Sequence, residues 1–212
     1  ANDKIGEFTL IIFGKYNEYF PYFLNTMMNM ANKGIGRDRI IFTIDSIVAN
    51  DETIYENGKN ELGNYKNHLF FNSGLEGETD KVTLKFITPL NIISKGKKLI
   101  KFDFRAFVSS LLRRIFILSY FYCDARLSID FKPLLDMEGK NILVDSFMRY
   151  THSVRYSGRQ NKKIDMGGLI GECGIKGEIK EYLTYINLGS IIHTGKGTSL
   201  GNGKYIVKNQ VI

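Results

Sequence analysis

The chain resembles itself when it is shifted by 163 residues. The shift aligns identical residues without a gap: Gly14 with Gly177, Glu18 and Tyr19 with Glu181 and Tyr182, Tyr22 with Tyr185, and Lys33 and Gly34 with Lys196 and Gly197. Each copy is predicted to run from a strand through a helix and a glycine-rich loop to a second strand. This order is the second half of a βαββαβ, ferredoxin-like unit, so the repeat predicts two related domains.

The two copies differ in how much chain precedes them. Residues 81–212 have room for a complete ferredoxin-like domain, whereas residues 1–80 hold a partial domain and a polar linker rich in Gly and Asn. The elements predicted for the first domain are a strand over 7–13, a helix over 17–32 and a strand over 40–48. We therefore expect an α+β fold of tandem ferredoxin-like domains, the first one incomplete. We also expect that a natural N-terminal segment is absent from this chain.

Hydrophobic periodicity predicts the elements of the second domain. Asp103 is a suitable N-cap for a long helix with apolar positions every three or four residues. The predicted buried stripe of that helix comprises Phe104, Phe107, Val108, Leu111, Leu112, Ile115, Leu118, Ser119 and Tyr122. Arg105 and Arg113 fall outside the stripe, toward solvent or ligand. The remaining predicted elements are strands over 82–87, 146–157, 166–176 and 204–207, and a helix over 178–192 that Gly189 weakens.

Charge is divided unevenly between the two predicted domains. Residues 1–80 hold 7 basic and 12 acidic side chains, a net charge of −5, whereas the remaining 132 residues carry +12. A basic half favours a polyanionic partner, most simply nucleic acid. A basic surface kept for solubility is equally consistent with the charge alone.

Composition and missing motifs exclude several classes of protein. Two cysteines, Cys123 and Cys173, are too few for a disulfide framework or a zinc cluster, so a reduced, cytoplasmic setting is expected. The longest apolar run, residues 115–123, is nine residues long, whereas a membrane helix needs about 20, so no membrane association is expected. No H-E-x-x-H or G-x-S-x-G motif occurs, and neither a metal nor another cofactor is expected.

A glycine-rich loop, residues 195–203, follows the last predicted helix and precedes the last predicted strand. Its spacing matches neither a Walker A loop nor a dinucleotide-binding fingerprint. Glycines permit a positive φ and a close backbone approach to phosphate, but a tight helix-to-strand connection would explain them equally well. The residues predicted here to contact nucleic acid are Gly195, Lys196, Gly197, Thr198, Ser199, Gly201, Gly203 and Lys204.

A basic segment with interleaved aromatic residues spans residues 149–163. On a single strand, Arg149, Thr151, Ser153, Arg155 and Ser157 would share one face. Basic side chains hold phosphates, aromatic rings stack on unpaired bases, and amides read base edges. The alternative is an edge hairpin whose Lys and Arg prevent aggregation. The predicted nucleic-acid contacts of this segment are Arg149, Arg155, Arg159, Gln160, Lys162 and Lys163.

Three histidines are the candidate acid–base groups. His68 lies in the polar linker and is predicted to be solvated. His152 would point away from Arg155 on a continuous strand, toward the core. His193 ends a predicted helix, where the macrodipole would stabilise the protonated imidazole. His193 and His152 are therefore the catalytic candidates, although a histidine at a helix end is more often only a cap.

Several segments resemble a known family. RYSGRQ (155–160), MGGLIGE (166–172) and HTGKGTSLGNGKY (193–205) resemble the C-terminal pattern of CRISPR-associated endoribonucleases of the RAMP superfamily, which process repeat RNA. FITPL (86–90) resembles the first strand of that domain. EYFPY (18–22) and GIGR (34–37) resemble weaker motifs of the preceding domain.

The resemblance implies tandem ferredoxin-like folds and metal-independent cleavage of precursor CRISPR RNA within each repeat. A ribose 2′-OH attacks the adjacent phosphate and leaves a 2′,3′-cyclic phosphate and a 5′-OH, which requires a general base, a general acid and a cation. The family's catalytic histidine commonly follows the first helix of the first domain. The repeat places that helix before residue 1, so this chain is expected to be inactive if it lacks that base.

Three functions remain open at this stage. The first is the endoribonuclease, with CRISPR repeat RNA as substrate and effector-complex subunits or a second copy as further partners. The second is a non-catalytic RAMP subunit that binds guide RNA in an effector complex. The third is a nucleotide-dependent enzyme that uses the glycine-rich loop, which the failed Walker A match disfavours.

Overall fold

The computed structural model describes residues 6–36, 38–49, 52–56, 59–60, 80–127, 130–137 and 140–208. The chain divides into two compact units, Ala1–Asn72 and Ser73–Ile212. Most of the predicted linker, and His68 with it, lies outside the described residues.

The secondary structure is a mixture of helices and antiparallel strands. The first unit contains a 3-10 turn (Gly14–Tyr19), α1 (Phe20–Lys33), β1 (Ser46–Ala49), β2 (Glu52–Glu56) and β3 (Lys59–Asn60). The second unit contains β4 (Lys81–Leu90), β5 (Ile93–Ser94), β6 (Lys97–Lys98), α2 (Phe104–Tyr122), α3 (Lys132–Leu135), β7 (Ile142–Thr151), β8 (Val154–Ser157), β9 (Lys162–Asp165), β10 (Gly168–Gly177), α4 (Leu183–Ile192) and β11 (Tyr205–Lys208).

The second unit has the predicted ferredoxin-like topology. Its main sheet has the order β11-β4-β10-β7, and every neighbouring pair is antiparallel. The elements follow one another as β4, α2, β7, β10, α4 and β11, with two small hairpins inserted. Because this is the βαββαβ order with the fourth strand beside the first, the α+β, ferredoxin-like prediction is confirmed for this unit.

The core lies between one face of this sheet and the helices α2 and α4. Alternate residues of β4, Val82, Leu84 and Phe86, are almost fully buried. The ring of Phe86 packs 5.9 Å from Phe107 of α2, measured between centroids. Tyr205 of β11 lies 5.6 Å from Phe107, and its hydroxyl donates to the Ile186 carbonyl of α4 at 2.6 Å. Sheet and helices are therefore joined by one aromatic cluster.

The other face of the sheet is charged and open. Glu172 of β10 accepts from Lys208 of β11 at 2.7 Å and pairs with Lys85 of β4 at 3.6 Å. The carboxylate is held by these two ammonium groups, and the hydrogen bond from Lys208 lowers the pKa of Glu172. Phe147 of β7, which stands opposite Glu172, is 77% exposed.

The helix predicted for the first unit is confirmed, but its strands differ from prediction. Residues 7–13 form no strand, and Phe8 is 65% exposed, so the apolar run EFTLIIF does not become a buried strand. The predicted strand over 40–48 is reduced to β1, with Ile40 in an isolated bridge to Ile35. β1, β2 and β3 form a separate antiparallel sheet.

The single strand predicted over 146–157 is wrong, because the strand structure is interrupted at residues 152 and 153, between β7 and β8. β8 pairs with β9 in a separate hairpin, so Arg149 and Arg155 do not lie on one continuous strand face. Ser157 is buried rather than presented with Arg155, and His152 is exposed rather than in the core. β8 and β9 continue the register of β7 and β10, with Thr151 opposite Gly168 and Val154 opposite Asp165, so the ladder is interrupted at residues 152 and 153 and then resumes.

The long helix α2 confirms the predicted cap and most of the predicted stripe. The Asp103 side chain accepts from the Ala106 backbone N–H at 2.7 Å, and the stripe is buried as far as Ile115. Tyr122 is 38% exposed, so the stripe does not extend through the last turns. None of the described helices is long and apolar enough to cross a bilayer.

Candidate nucleic-acid interface

The hairpin formed by β8 and β9 is the most basic projection of the second unit. Arg155, Arg159, Lys162 and Lys163 are all exposed, and residues 152–164 contain no acidic side chain. Tyr156 is opposite Lys163 in the hairpin register, and its hydroxyl donates to the Asn161 side chain in the turn. Gln160 lies exposed in the same turn. The hairpin therefore presents cations, an aromatic ring and an amide together, as the sequence predicted.

The base of the hairpin is fastened on two sides. Asp165 at the end of β9 forms an ion pair with Lys98 of β6 and accepts from the Gly167 N–H at 2.8 Å. The hydrogen bond from Lys98 lowers the pKa of Asp165, with Gly167 contributing next. On the other side, the Met166 N–H donates to the Ser153 carbonyl at 2.8 Å. These contacts fix the root of the hairpin while its tip stays exposed.

The glycine-rich loop folds back onto the end of β4. The Lys196 N–H donates to the Asn91 carbonyl at 2.7 Å, and the Gly203 N–H donates to the Pro89 carbonyl at 3.0 Å. The Thr88 hydroxyl accepts from the Lys204 N–H at 2.8 Å and donates to the Gly201 carbonyl at 2.7 Å. Several loop N–H groups that were predicted to face phosphate are therefore already bound within the protein.

Two of the loop glycines are required by this internal packing. Gly195 has φ +97°, and a Cβ atom there would lie 2.6 Å from the Asn91 carbonyl oxygen. Gly203 has φ +75°, and its Cβ would collide with the Thr194 carbonyl. Gly201, by contrast, has φ +88° with nothing within 4 Å of its Cβ position. The loop is thus a tight connection at its ends and an exposed turn at Gly201, which has space beside it although its N–H donates to the Thr198 carbonyl at 3.1 Å.

The hairpin and the glycine-rich loop are in direct contact. The buried Asn202 side chain donates from Nδ2 to the Met166 carbonyl at 2.9 Å. The Met166 methyl group lies against Gly197, where an added Cβ would be 2.8 Å from it. Two segments that the sequence treated separately therefore form one surface, and Asn202 and Met166 are the joining residues that sequence reasoning missed.

His193 lies at the C-terminal end of α4, half-buried, with φ 62° and ψ 168°. Burial lowers the pKa of His193, and the positive charges of Lys204 and Arg114 lower it further. The expectation that the helix dipole keeps this imidazole protonated is therefore wrong. Burial and two neighbouring cations outweigh the favourable helix terminus.

Arg114 is a site residue that the sequence analysis did not single out. Its Nε donates to the Ile192 carbonyl at 2.7 Å, so the guanidinium caps α4 directly before His193. Burial lowers the pKa of Arg114, although the group remains a cation. The position of Arg114 between Leu111 and Ile115 could have indicated this role. That position places Arg114 at the edge of the buried stripe and not on the solvent face with Arg113.

Lys204 is the sequence-predicted residue whose charge acts on His193, and the other predicted residues are distributed over β7, the hairpin and the glycine-rich loop. His152 is exposed at the break between β7 and β8, with its ring 5.1 Å from that of Tyr150. Arg149 is exposed on β7, opposite Ile170. Lys196 and Ser199 are exposed, and Thr198 is half-exposed, on the glycine-rich loop. Within the described ranges, no group of three or more His, Cys, Asp or Glu side chains is placed to hold a metal.

The second unit thus belongs to the class of ferredoxin-like α+β domains, and it carries a basic hairpin with an attached glycine-rich loop. A family model described as CRISPR-associated endoribonuclease Cas6 matches residues 84–205, and a second, described as an N-terminal domain, matches residues 1–68. The first match covers more than half of the chain and runs from β4 to the start of β11. The chain therefore belongs to the Cas6 family.

Solved structures with a similar fold include other Cas6 proteins. A Cas6 of Thermus thermophilus is 20% identical with a TM-score of 0.48, covering 62% of this chain and 55% of that one. A Cas6 product complex is 16% identical with a TM-score of 0.48, covering 65% and 54%. A partial Cas6-RT-Cas1–Cas2 complex is 11% identical with a TM-score of 0.45, covering 65% and 24%.

The chain spans about half the length of the first solved structures that it matches. No curated protein matches it.

Proposed function

We propose that this chain carries the RNA-binding surface and the general base of an endoribonuclease that cleaves precursor CRISPR RNA within its repeats. The observation that carries the proposal is the Cas6 family match, which spans β4 to the start of β11 and includes the hairpin and the glycine-rich loop. The contact between these two segments through Asn202 and Met166 supports a continuous RNA-binding surface. Residues 81–212 act as the RAMP domain, and residues 1–80 belong to the preceding domain and linker.

Repeat RNA is held by cations on both segments. Arg149, Arg155, Arg159, Lys162 and Lys163 contact phosphates, and Gln160 contacts a base edge. On the glycine-rich loop, the side chains of Lys196, Thr198, Ser199 and Lys204 contact phosphate oxygens, and Gly197 and Gly201 leave room for the RNA backbone beside them. Gly195 and Gly203 hold the loop in shape through their packing on protein carbonyls. Exposed basic side chains suit this role because binding releases counterions from the RNA. The partner is CRISPR repeat RNA; effector-complex subunits and a second copy are further expected partners, in the cytoplasm.

We assign the general base to His193. Its lowered pKa leaves a neutral imidazole at pH 7, which can accept the proton of the ribose 2′-OH. The oxygen then attacks the adjacent phosphorus, and the 5′-oxygen leaves with a proton from a general acid. This gives a 2′,3′-cyclic phosphate and a 5′-OH without a metal. Lys204 and Arg114, whose charges already act on His193, would stabilise the negative charge of the transition state.

The backbone of His193 supports a functional role over a capping role. Its φ of 62° with ψ 168° lies in a region that favours glycine, and the next four positive-φ positions of this segment, Gly195, Gly197, Gly201 and Gly203, are all glycine. A non-glycine residue in such a conformation is favoured where its side chain has a function. His152 remains the second candidate, because it is exposed beside the basic hairpin.

The test is cleavage of a repeat-spacer-repeat transcript in EDTA, analysed on a denaturing gel with end-group mapping. We expect cutting with a cyclic phosphate end, lost in His193→Ala and retained in His152→Ala. The rate should rise with pH through a pKa below the ordinary value of 6.5 for histidine. Cutting by His193→Ala at the wild-type rate would refute the assignment. RNA binding without cutting by the wild type would favour the non-catalytic subunit.

The contribution of the hairpin to RNA binding is tested through the dependence of the RNA affinity on salt concentration. Removing one phosphate contact on single-stranded RNA should lower the slope of log affinity against log salt by about 0.7. Arg159→Ala should show this change, whereas Lys132→Ala, exposed on α3, should not. Equal slopes in the two variants would remove Arg159 from the contacts.

The glycine-rich loop is tested by a matched pair of glycines. Gly197→Val should impair RNA binding, partly because the side chain would displace Met166 and so disturb the hairpin. Gly201→Ala meets no protein atom within 4 Å, so any loss of RNA affinity in the folded variant reflects the ligand or the strained φ. Wild-type affinity in both variants would exclude phosphate contact by this loop.

A further inference from the structure

The last turns of α2 carry an exposed aromatic surface that the proposed function does not use. We call this surface, Phe116, Ile117, Tyr120 and Phe121, the α2 aromatic face. Phe116 and Tyr120 are each 44% exposed, and Phe121 is 60% exposed. The buried residues of the helix end at Ile115. The helix therefore changes character at this point, from a core element to an element that presents rings to solvent.

The rings form an ordered array. Phe116 and Tyr120, one helical turn apart, are nearly parallel, with centroids 6.4 Å apart and planes inclined by 13°. Phe121 lies edge-on to Tyr120 at 5.0 Å, and the Arg126 guanidinium lies 5.9 Å from the Tyr120 centroid. Parallel rings beside a guanidinium offer flat surfaces on which nucleobases stack.

The charged side chains within α2 are all basic, and one acid, the exposed Asp124, lies between the end of the helix and Arg126. The charged side chains of α2 are Arg105, Arg113 and Arg114, with no Asp or Glu among its 19 residues. Arg113 is exposed one turn before Phe116 and Ile117, and Arg126 is exposed just beyond the helix. A protein partner would need to supply matching acids, whereas RNA supplies phosphates together with bases. Charge complementarity thus favours a polyanion with unpaired bases.

The face adjoins a residue of the interface described above. Arg114, three residues before Ile117 and so its neighbour on the helix surface, caps α4 through the Ile192 carbonyl directly before His193.

We propose that the α2 aromatic face binds an unpaired RNA segment that flanks the repeat, by stacking its bases on Phe116, Tyr120 and Phe121 while Arg113 and Arg126 hold its phosphates. This proposal rests on the proposed function, because it extends the same RNA beyond the hairpin and the glycine-rich loop.

The experiment compares two RNAs on the full chain by fluorescence anisotropy. One is the repeat RNA alone, and the other carries an added single-stranded flank of about eight adenylates at either end. Tyr120→Leu and Phe121→Leu keep apolar area and helix propensity but remove a ring. Ile117→Ala is the matched control, because it removes apolar area from the same face and no ring. Circular dichroism verifies folding, and sedimentation velocity with and without RNA reports self-association.

We expect the flank to increase the affinity of the wild type. Each ring variant should lose about five-fold or more of its affinity for the flanked RNA, with the affinity for repeat alone unchanged and Ile117→Ala close to wild type. Equal wild-type affinity for both RNAs would overturn the inference and leave the proposed function intact. A loss in Ile117→Ala together with dissociation of a dimer would show that a second copy covers the face. Failure to bind the repeat itself would count against the proposed function.

Discussion

The two copies of the internal repeat begin a helix at the same register, yet they bury different faces of it. α1 begins at Phe20 and α4 at Leu183, which is 163 residues later. In α4 the buried positions are Leu183, Ile186, Gly189 and Ile192. In α1 they are Leu24 and Ala31, which do not correspond to those positions under the shift. Similar local sequence thus sets where a helix begins, but not which side becomes core.

The difference is the sheet against which each helix packs. α4 follows β10 and precedes β11, and both strands are hydrogen-bonded to β4. In the first unit the matching stretches before and after α1, residues 6–13 and 41–45, form no strands. Without paired strands at these matching positions, α1 keeps exposed aromatic residues such as Tyr22 and Phe23. Four predictions follow this comparison, from the largest effect to the smallest.

Truncating the equivalent residue in each helix should give the largest difference in the free energy of unfolding. Ile186 is fully buried, whereas Phe23, its equivalent in α1, is 37% exposed. Ile186→Ala should lower the free energy of unfolding by about 2–5 kcal/mol, since it removes buried methylenes and leaves a cavity. Phe23→Ala should cost about 1 kcal/mol or less. Urea unfolding followed by circular dichroism measures both, and equal losses would mean that the repeats are equally packed.

Substitution by alanine should affect the stability of the two helices differently. In α4 the effect should be opposite to the one that helix propensity alone would give. A Cβ at Gly189 would collide with the Tyr205 hydroxyl and lie 2.6 Å from Leu111 Cδ1. Gly189→Ala should therefore destabilise the protein by about 1–3 kcal/mol, although alanine is the better helix former. Thr26→Ala, at the equivalent exposed position of α1, should change stability by less than about 0.5 kcal/mol. A stabilised Gly189→Ala protein would show that α2, α4 and β11 pack loosely there.

A hydroxyl deletion tests the link between β11 and α4. Tyr205 is fully buried and donates to the Ile186 carbonyl at 2.6 Å, and burial raises the pKa of Tyr205 well above its usual value. Tyr205→Phe should cost about 1 kcal/mol because one buried hydrogen bond is lost. Tyr22→Phe, with an exposed ring in α1, serves as the control and should be neutral. Thermal unfolding compares them, and an unaffected Tyr205→Phe midpoint would contradict the prediction.

The smallest expected effect is a dependence of stability on pH. The pKa of His193 is lowered in the folded chain by burial, then by Lys204 and Arg114, so the unfolded chain takes up its proton more readily. Its contribution to stability should be complete above the ordinary value of 6.5 and decrease as the pH falls through it. The difference between wild type and His193→Gln, measured by urea unfolding at pH 5 to 8, isolates this contribution. A difference that does not vary with pH would contradict it.

Much of the fold of the second unit was predictable because its signals are local. Asp103 caps α2 as expected, and the apolar period of α2 holds from Phe104 to Ile115. The prediction failed where the continuity of strand pairing decides the outcome. The ladder between β7 and β10 stops after Thr151 and resumes between β8 and β9 in the same register, and no alternation within 146–157 marks that interruption. An apolar run such as 7–13 likewise becomes a strand only when another strand is available beside it.

In the candidate site, too, some features follow from local sequence and others depend on residues distant in the chain. Its exposed cations and its glycines could be read from the sequence, because basic hairpins and glycine-rich loops have a local signature. The lowered pKa of His193 could not, since it depends first on burial and then on Lys204 and Arg114, the second of which lies 79 residues away in the chain. The contact of Asn202 with Met166 was equally hidden.

The sequence by itself determined the presence of the helices α1, α2 and α4, the basic charge of the second domain and the family resemblance. These properties depend on residue type, local spacing and composition. Only the tertiary structure decided which helix faces are buried, where the hairpin branches from the sheet and which groups surround His193. Burial and strand pairing require partners that are distant in the chain, and their free energy exists only when those partners meet.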